Sequence, residues 1–272
     1  MAFTMRYQIA TSYLPKPSKR RSGIAMSPGV KFIVAHDTGN PNSTSQGNVA
    51  YYERSRNDES ASAHLFVDDK QIIECIPALE GSPPEKAWHV LYKVPTDNQL
   101  FGYNANDAAI GVEYCYGEKI DADEAYRRYV WVIAYACAKF GLDPSRSVVG
   151  HFFLDPHRKT DPVTGLAHGR RTYDQLLRDV VSEYVACTAG DGAPSQPTVN
   201  NIPQQGTAVA TARLNVRNGA PNTRAEVSRV VAPGTRLAFE GYVDNGEPIN
   251  GNPVWYADGK ENFFWSGGTV LQ

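Results

Sequence analysis

One short run limits the fold of this chain more than any other part of it. Residues 30–35, VKFIVA, are almost wholly apolar and rich in β-branched and aromatic types. Such a run forms a strand, and because it does not alternate polar with apolar it must be covered on both faces. Sheets covered on both faces belong to α/β architectures, in which helices alternate with strands. The pattern around it agrees. Residues 63–67 and 72–76 are β-prone runs separated by Asp68-Asp69-Lys70, which reads as a hairpin with a polar turn. Residues 110–116, IGVEYCY, form another strand. A helix is expected over 123–140, with Gly141 just past its C-cap. A second should follow Thr172 as N-cap, because Tyr173, Leu176, Leu177, Val180, Val181, Tyr184 and Val185 recur at three- and four-residue spacing. The expectation is a mixed central sheet with flanking helices.

The pattern stops at 188–205, TAGDGAPSQPTVNNIPQQ, which has no hydrophobic period and is rich in Pro, Gly, Gln, Asn and Ser. That composition reads as a flexible linker. It divides the chain into a domain at 1–187, a tether at 188–205 and a module at 206–272. In the module, β-prone runs at 212–216, 228–231, 236–242, 254–257 and 262–265 are mostly separated by Asn-Gly or Pro-Gly pairs. Short strands at that pitch predict a small all-β barrel. Trp255, Tyr256, Phe263, Phe264 and Trp265 exceed what so small a core requires, so strand alternation should leave some of them exposed.

Composition excludes several partners. A formal net charge of −2 gives no electrostatic case for nucleic acid or an anionic membrane. The one basic cluster, residues 16–21, reads as a solvated loop. Cys75, Cys115, Cys137 and Cys187 form no CxxC pair, which argues against a structural zinc module or a disulfide framework and suits free thiols in a reducing cytosol. The first 21 residues lack the apolar stretch of a signal peptide, and no run is long enough to span a membrane. Synthesis in the cytoplasm without a signal peptide, and no membrane insertion, are expected.

The chemistry gathers around His36, which follows the apolar run in VAHDTGN. Ligand sites in open α/β sheets collect at the carboxyl ends of strands. GHFFLDPHRKTDP supplies His151 and Asp161, with Lys159 two residues before the acid. Two His and one carboxylate can hold Zn²⁺ and leave a fourth position for water, the mark of a catalytic zinc. The spacing alone leaves a metal site and three ordinary polar side chains equally open. Glu113 lies mid-strand in IGVEYCY, where an acid is costly unless it faces a cleft or a cation. It reads either as a partner for a surface Lys or, beside a metal-bound water, as a general base.

His36 in HDTG, Glu113 in IGVE, and His151, Lys159 and Asp161 in GH…KTDP together resemble the N-acetylmuramoyl-L-alanine amidase type 2 family. SAHLFVDD around His64 and AWH at Trp88-His89 resemble its motifs too, and the similarity spans roughly residues 25–187. The resemblance implies the peptidoglycan recognition fold, zinc on His36, His151 and Asp161, and cleavage of the amide between N-acetylmuramic acid and L-alanine. It implies that Glu113 takes a proton from the metal-bound water, and that Lys159 helps the metal stabilise the oxyanion. His64, Trp88 and His89 stand as candidate substrate contacts. Some relatives carry Cys where this chain has Asp161. Val90-Leu91 replaces the Ala-Gly that often follows the Trp-His pair, so residues 80–106 should form a substrate-side loop of their own shape.

In the C-terminal module, RLNVRNGAPNTRAEVSRVVAPGTRL and PVWYADGKENFFWSGG resemble the opening and closing of bacterial SH3-like (SH3b) domains. That implies a tether to the bacterial cell wall, which suits an insoluble polymer because it raises local enzyme concentration. A plain spacer is the alternative. The reading reached is a two-domain peptidoglycan hydrolase of the phage endolysin kind, stored in the cytoplasm and acting at the wall after release. The competing readings are a non-catalytic peptidoglycan-binding protein and a zinc endopeptidase of the stem peptide.

Overall fold

The computed structural model describes residues 3–188, 201–223, 225–244 and 246–272. The chain divides into two compact units, residues 1–194 and 195–272. In chain order the first carries β1 (Ile9–Thr11), β2 (Phe32–Asp37), α1 (Ser45–Arg54), β3 (Leu65–Val67), β4 (Ile72–Glu74), α2 (Thr96–Phe101) and α3 (Ala105–Ala108). It continues with β5 (Ala109–Tyr114), α4 (Ala122–Lys139), β6 (Val148–Gly150), α5 (His151–Leu154), α6 (Val163–His168) and α7 (Tyr173–Thr188). The sheet order is β1-β4-β3-β5-β2-β6. Every neighbouring pair is parallel except the β3–β4 hairpin.

The apolar run that becomes β2 is covered on both faces, as its lack of alternation requires. Ile33 and Ala35 belong to a core cluster with Tyr129, Ile133, Leu176 and Val180 of α4 and α7. Phe32 and Val34 belong to another with Ala105, Ala109, Val149 and Leu154. The strand starts two residues later than the run and ends at Asp37, so His36 lies inside it.

Local chemistry sets the ends of these elements. The Asp121 carboxylate caps α4 by accepting from the amides of Asp123 and Glu124, each at 3.0 Å. Gly141, with φ +63°, takes the left-handed turn after the helix, where a Cβ would be strained. Between these ends Ala125, Tyr129, Val132, Ile133 and Ala136 are buried at helical spacing against the sheet. Each of the larger ones contributes roughly 1.5–3 kcal/mol by leaving water. Thr172 caps α7 through Gln175 N at 3.1 Å. In the hairpin, Asp68 Oδ1 accepts from the amides of Lys70 and Gln71, both at 2.8 Å, which closes the polar turn.

The basic cluster is only partly the solvated loop expected: Lys16 and Lys19 are exposed, but its two arginines are buried. Arg20 is 1% exposed and Arg21 7%. Arg21 donates from Nε and Nη2 to Glu85, and Arg20 binds Glu59, Ser55 and the Ala61 carbonyl. Charge runs normally face water because a buried cation must be paired; here acids distant in sequence supply the partners. All four cysteines are free and buried.

The second unit contains β7 (Asn201–Ala210), β8 (Leu214–Asn218), β9 (Glu226–Val231), β10 (Arg236–Val243), β11 (Trp255–Ala257), β12 (Asn262–Trp265) and β13 (Thr269–Leu271). They form one antiparallel sheet ordered β13-β7-β10-β11-β12-β8-β9, an arrangement that fits an SH3-like barrel. The expected aromatic surface is absent among the described residues. Trp255, Phe263 and Phe264 are buried, while Tyr256 and Trp265 are half-buried and packed on the core. The indoles of Trp255 and Trp265 donate to the carbonyls of Glu247 and Asn252, at 2.8 and 3.0 Å, so each ring is held at both ends. Of the expected linker, 189–200 lies outside the described residues, Thr188 closes α7, and 201–205 are strand, paired along β10. No helix among the described residues is long and apolar enough to cross a membrane.

Candidate functional site

Three strands deliver side chains to one edge of the sheet. His36 is the next-to-last residue of β2, Glu113 the next-to-last of β5, and His151 follows β6 directly. His36 and Glu113 are register partners, so their side chains leave the sheet on the same face. Asp161 returns to this edge because Phe152 N donates to the Asp161 carbonyl at 2.8 Å, folding the intervening turn back on α5. That contact brings the loose His-x9-Asp spacing to a point.

At that point His36 Nδ1 lies 2.8 Å and His151 Nδ1 3.1 Å from the same oxygen, Asp161 Oδ2. One potential ligand atom from each of the three residues lies within 4.8 Å of the other two. They open onto a cavity of about 370 Å³ whose wall includes Glu113, Lys159, Tyr52 and Trp88.

The hydrogen bonds behind His36 fix its tautomer. The Ala109 carbonyl can only accept, so His89 Nε2, 3.2 Å away, carries the hydrogen. His89 Nδ1 is then an acceptor, and His36 Nε2, at 3.0 Å, must donate to it. His36 Nδ1 is left with a bare lone pair aimed at a carboxylate oxygen. Two acceptors at that distance repel unless a cation sits with them. A proton is disfavoured, because burial lowers the His36 pKa to about 4 even with the Asp161 carboxylate beside it. Burial alone would raise Asp161, but the two imidazoles beside it, His151 foremost, outweigh that and hold the carboxyl well below the usual range. Neutral imidazole nitrogen and ionised carboxylate oxygen are the donors zinc takes, and the three residues fit that ion.

Two further atoms lack partners. His151 Nε2 and Glu113 Oε2 are buried with no hydrogen bond among the described residues. Burial pushes the Glu113 carboxyl well above the usual carboxylate range, with repulsion from Asp161 and Asp37 adding and Lys159 opposing. Lys159 Nζ lies 3.9 Å from Asp161 Oδ1 with the side chain partly exposed, leaving the ammonium at the cleft wall.

The other sequence-selected residues divide. Trp88 lines the cleft and is half-buried. His64 does not reach it: the ring is fully buried, with Nδ1 accepting from Gly111 N and Nε2 donating to the Glu85 carbonyl, both at 2.9 Å. It is a core brace. His89 borders the cleft, but both ring nitrogens are taken by His36 and Ala109, so it orients His36 and has no nitrogen left for substrate. The segment 80–106 contains α2 and the start of α3, and Asn106 Oδ1 holds the amides of His89 and Val90 at 2.8 and 3.0 Å.

Sequence reasoning passed over two residues that support the site. Asp37 accepts from Gly39 N and Gly165 N, at 3.0 and 2.8 Å, tying α6 to the end of β2. Its signal was a second polar residue beside His36. The Tyr129 hydroxyl donates to the carbonyl of His36 at 2.9 Å and also approaches that of Val112, at 3.4 Å, beneath the site. Nothing separated Tyr129 from its apolar neighbours on the helix.

A mixed sheet with a His-His-Asp cluster and a lone glutamate at its carboxyl edge defines a hydrolase-like α/β domain. Residues 26–164 match the family model described as N-acetylmuramoyl-L-alanine amidase, and the chain belongs to that family. It is 30% identical over 199 residues to N-acetylmuramoyl-L-alanine amidase BlyA of Bacillus subtilis (strain 168), covering 70% of this chain and 51% of that protein. It is 28% identical over 218 residues to a bifunctional autolysin of Staphylococcus aureus (strain MSSA476), covering 76% of this chain and 16% of the autolysin. The chain thus spans about half the length of the first relative and far less of the second. Among solved structures it is similar to the Staphylococcus aureus hydrolase AmiA in complex with its ligand, at TM-score 0.55 and 23% identity, over 71% of this chain and 90% of that one. The catalytic domain of XlyA gives TM-score 0.51 at 24% identity, over 64% and 99%. These two likenesses bear on the fold.

Proposed function

We propose that this protein is a zinc-dependent peptidoglycan amidase that hydrolyses the amide between N-acetylmuramic acid and the L-alanine of the stem peptide. The observation that carries the reading is the bare His36 Nδ1 facing Asp161 Oδ2, with His151 Nδ1 on the same oxygen and Glu113 Oε2 unpartnered beside them. His36, His151 and Asp161 would hold the metal. Bound there, zinc supplies Lewis-acid polarisation of a carbonyl and acidifies water.

The chain's own groups do the rest. Glu113 Oε2 accepts the proton as water attacks the amide carbon, and its raised proton affinity suits it to pass that proton to the departing amine. The Lys159 ammonium offsets the negative charge growing on the carbonyl oxygen. His89 keeps the His36 lone pair pointed inward throughout. The SH3-like unit is the tether to the wall, residues 1–187 are the catalytic domain, and the intervening segment joins them. Release from the cytoplasm during phage lysis is the setting in which the pair works.

Mass spectrometry of fragments from purified peptidoglycan tests the reading. Amidase action yields glycan free of peptide and stem peptides with a new L-alanine amine. Fragments cut between stem-peptide residues would instead make the protein an endopeptidase. Binding without any cleavage by zinc-loaded protein would make it a recognition protein.

A further inference from the structure

Three of the residues lining the cleft are tied directly to one short segment outside the family match, which begins at residue 26, and a fourth, Ser62, through one of them. The Trp88 indole donates to the Lys19 carbonyl at 3.0 Å. The Arg20 guanidinium binds the Ala61 carbonyl and Glu59, reaches Ser55 Oγ at 2.8 Å, and stacks over the Tyr52 ring at 4.2 Å from its centroid. Ser62 is joined to Trp88 in both directions, amide to carbonyl and amide to Oγ, each at 3.1 Å. Arg21 anchors the segment from below through two bonds to Glu85, at 2.7 and 2.8 Å, and one to the Leu14 carbonyl at 2.7 Å.

We infer that residues 19–21 are a clamp that positions the substrate-reading wall of the cleft, formed by Tyr52, Ala61, Ser62 and Trp88. The inference rests on the amidase reading only in naming the substrate as a muramyl peptide. Arg20 is suited to the task because a planar fork satisfies several acceptors while its face covers an aromatic ring; a lysine can do one or the other. The metal cluster is built on β2, α5 and the turn before α6, with no contact to the clamp in its hydrogen bonds. Loosening the clamp therefore weakens substrate binding and spares the chemical step, because the wall orients the substrate and does not touch the reacting proton. Arg20 acts through Tyr52 and Ala61, as a positioning residue.

Arg20→Lys in the full chain tests this with two readouts. The first is steady-state cleavage of a soluble muramyl-peptide fragment: KM should rise roughly tenfold, the equivalent of one lost polar contact, with kcat within about twofold of wild type. The second is Trp88 emission, isolated by subtracting spectra of the matching Trp88→Phe proteins, which should shift to the red as the indole loses its anchor. Val180→Ala on α7 controls for general destabilisation and should move neither. Wild-type KM and unchanged Trp88 emission in Arg20→Lys overturn the clamp, as does an equal KM change in Val180→Ala. If Arg20→Lys does not fold, Glu59→Gln, which alters a partner whose side chain is 47% exposed, decides by the same two readouts. Failure of the wild type to cleave the fragment would overturn the amidase reading, and Trp88 emission would still judge the clamp.

Discussion

Gly111 has no side chain because the His89 ring occupies its place: a Cβ there would stand 2.9 Å from His89 Cγ. The glycine of IGVE is what lets His89 lie close over β5 and reach His36. Gly111→Ala should displace His89, free the His36 ring to turn, and weaken zinc binding by about 10–100-fold, the range for loss of an outer partner of a ligating histidine. Competition against a chromophoric chelator measures it; wild-type affinity would mean His89 does not orient His36.

Glu113→Gln keeps the size of the side chain and removes the base. Cleavage of the muramyl–alanine amide should fall by roughly 10²–10⁴ in kcat while zinc content stays stoichiometric. A variant that releases L-alanine amine at the wild-type rate would assign the proton transfer elsewhere.

Acid should destabilise the fold in a defined window. Burial lowers the His64 pKa from 6.5 to about 4, so between those values the unfolded chain binds a proton that the folded chain refuses. Stability therefore rises with pH across this window and is lost as pH falls from 6.5 toward 4, by about 3 kcal/mol for this one group. Urea midpoints from pH 7 to pH 4 should show a steeper fall in wild type than in His64→Asn, which is less stable at pH 7 but has no proton to gain. Parallel slopes would refute the assignment.

Removal of zinc should abolish cleavage and leave the fold. The ligand-bearing strands take their register from core clusters on both faces of the sheet, which need no metal. Far-ultraviolet circular dichroism of chelator-treated protein should match the untreated spectrum, with a lower melting temperature only. Loss of helical signal would place the site among metal-dependent folds.

The sequence made the strands and helices of the first unit legible because their periods are strong: VKFIVA, the hairpin around Asp68, and the long helix ending at Gly141. The His-His-Asp cluster was visible as residue types, though its closure depends on the Phe152–Asp161 backbone bond, which no side-chain pattern announces. Arg20 and Arg21 looked solvated because their partners, Glu59 and Glu85, lie tens of residues away. His64 looked like a candidate contact because a polar residue on a strand has two faces available, and only tertiary structure reveals which is wet. The aromatics of the second unit misled in the opposite sense. Trp255 and Trp265 are register partners whose indole nitrogens find backbone carbonyls, so large rings fit a small barrel.

The position of the clamp matters for anyone exchanging parts between related amidases. Both the outer strand β1 and the anchors of the cleft wall precede residue 26, where the family match begins. A graft cut at residue 26 would carry over the His-His-Asp cluster and, on the clamp reading, leave behind the anchors of the wall that orients the substrate. Swapping residues 3–25 between relatives, with the core left alone, would then be the economical way to retune which walls are cut.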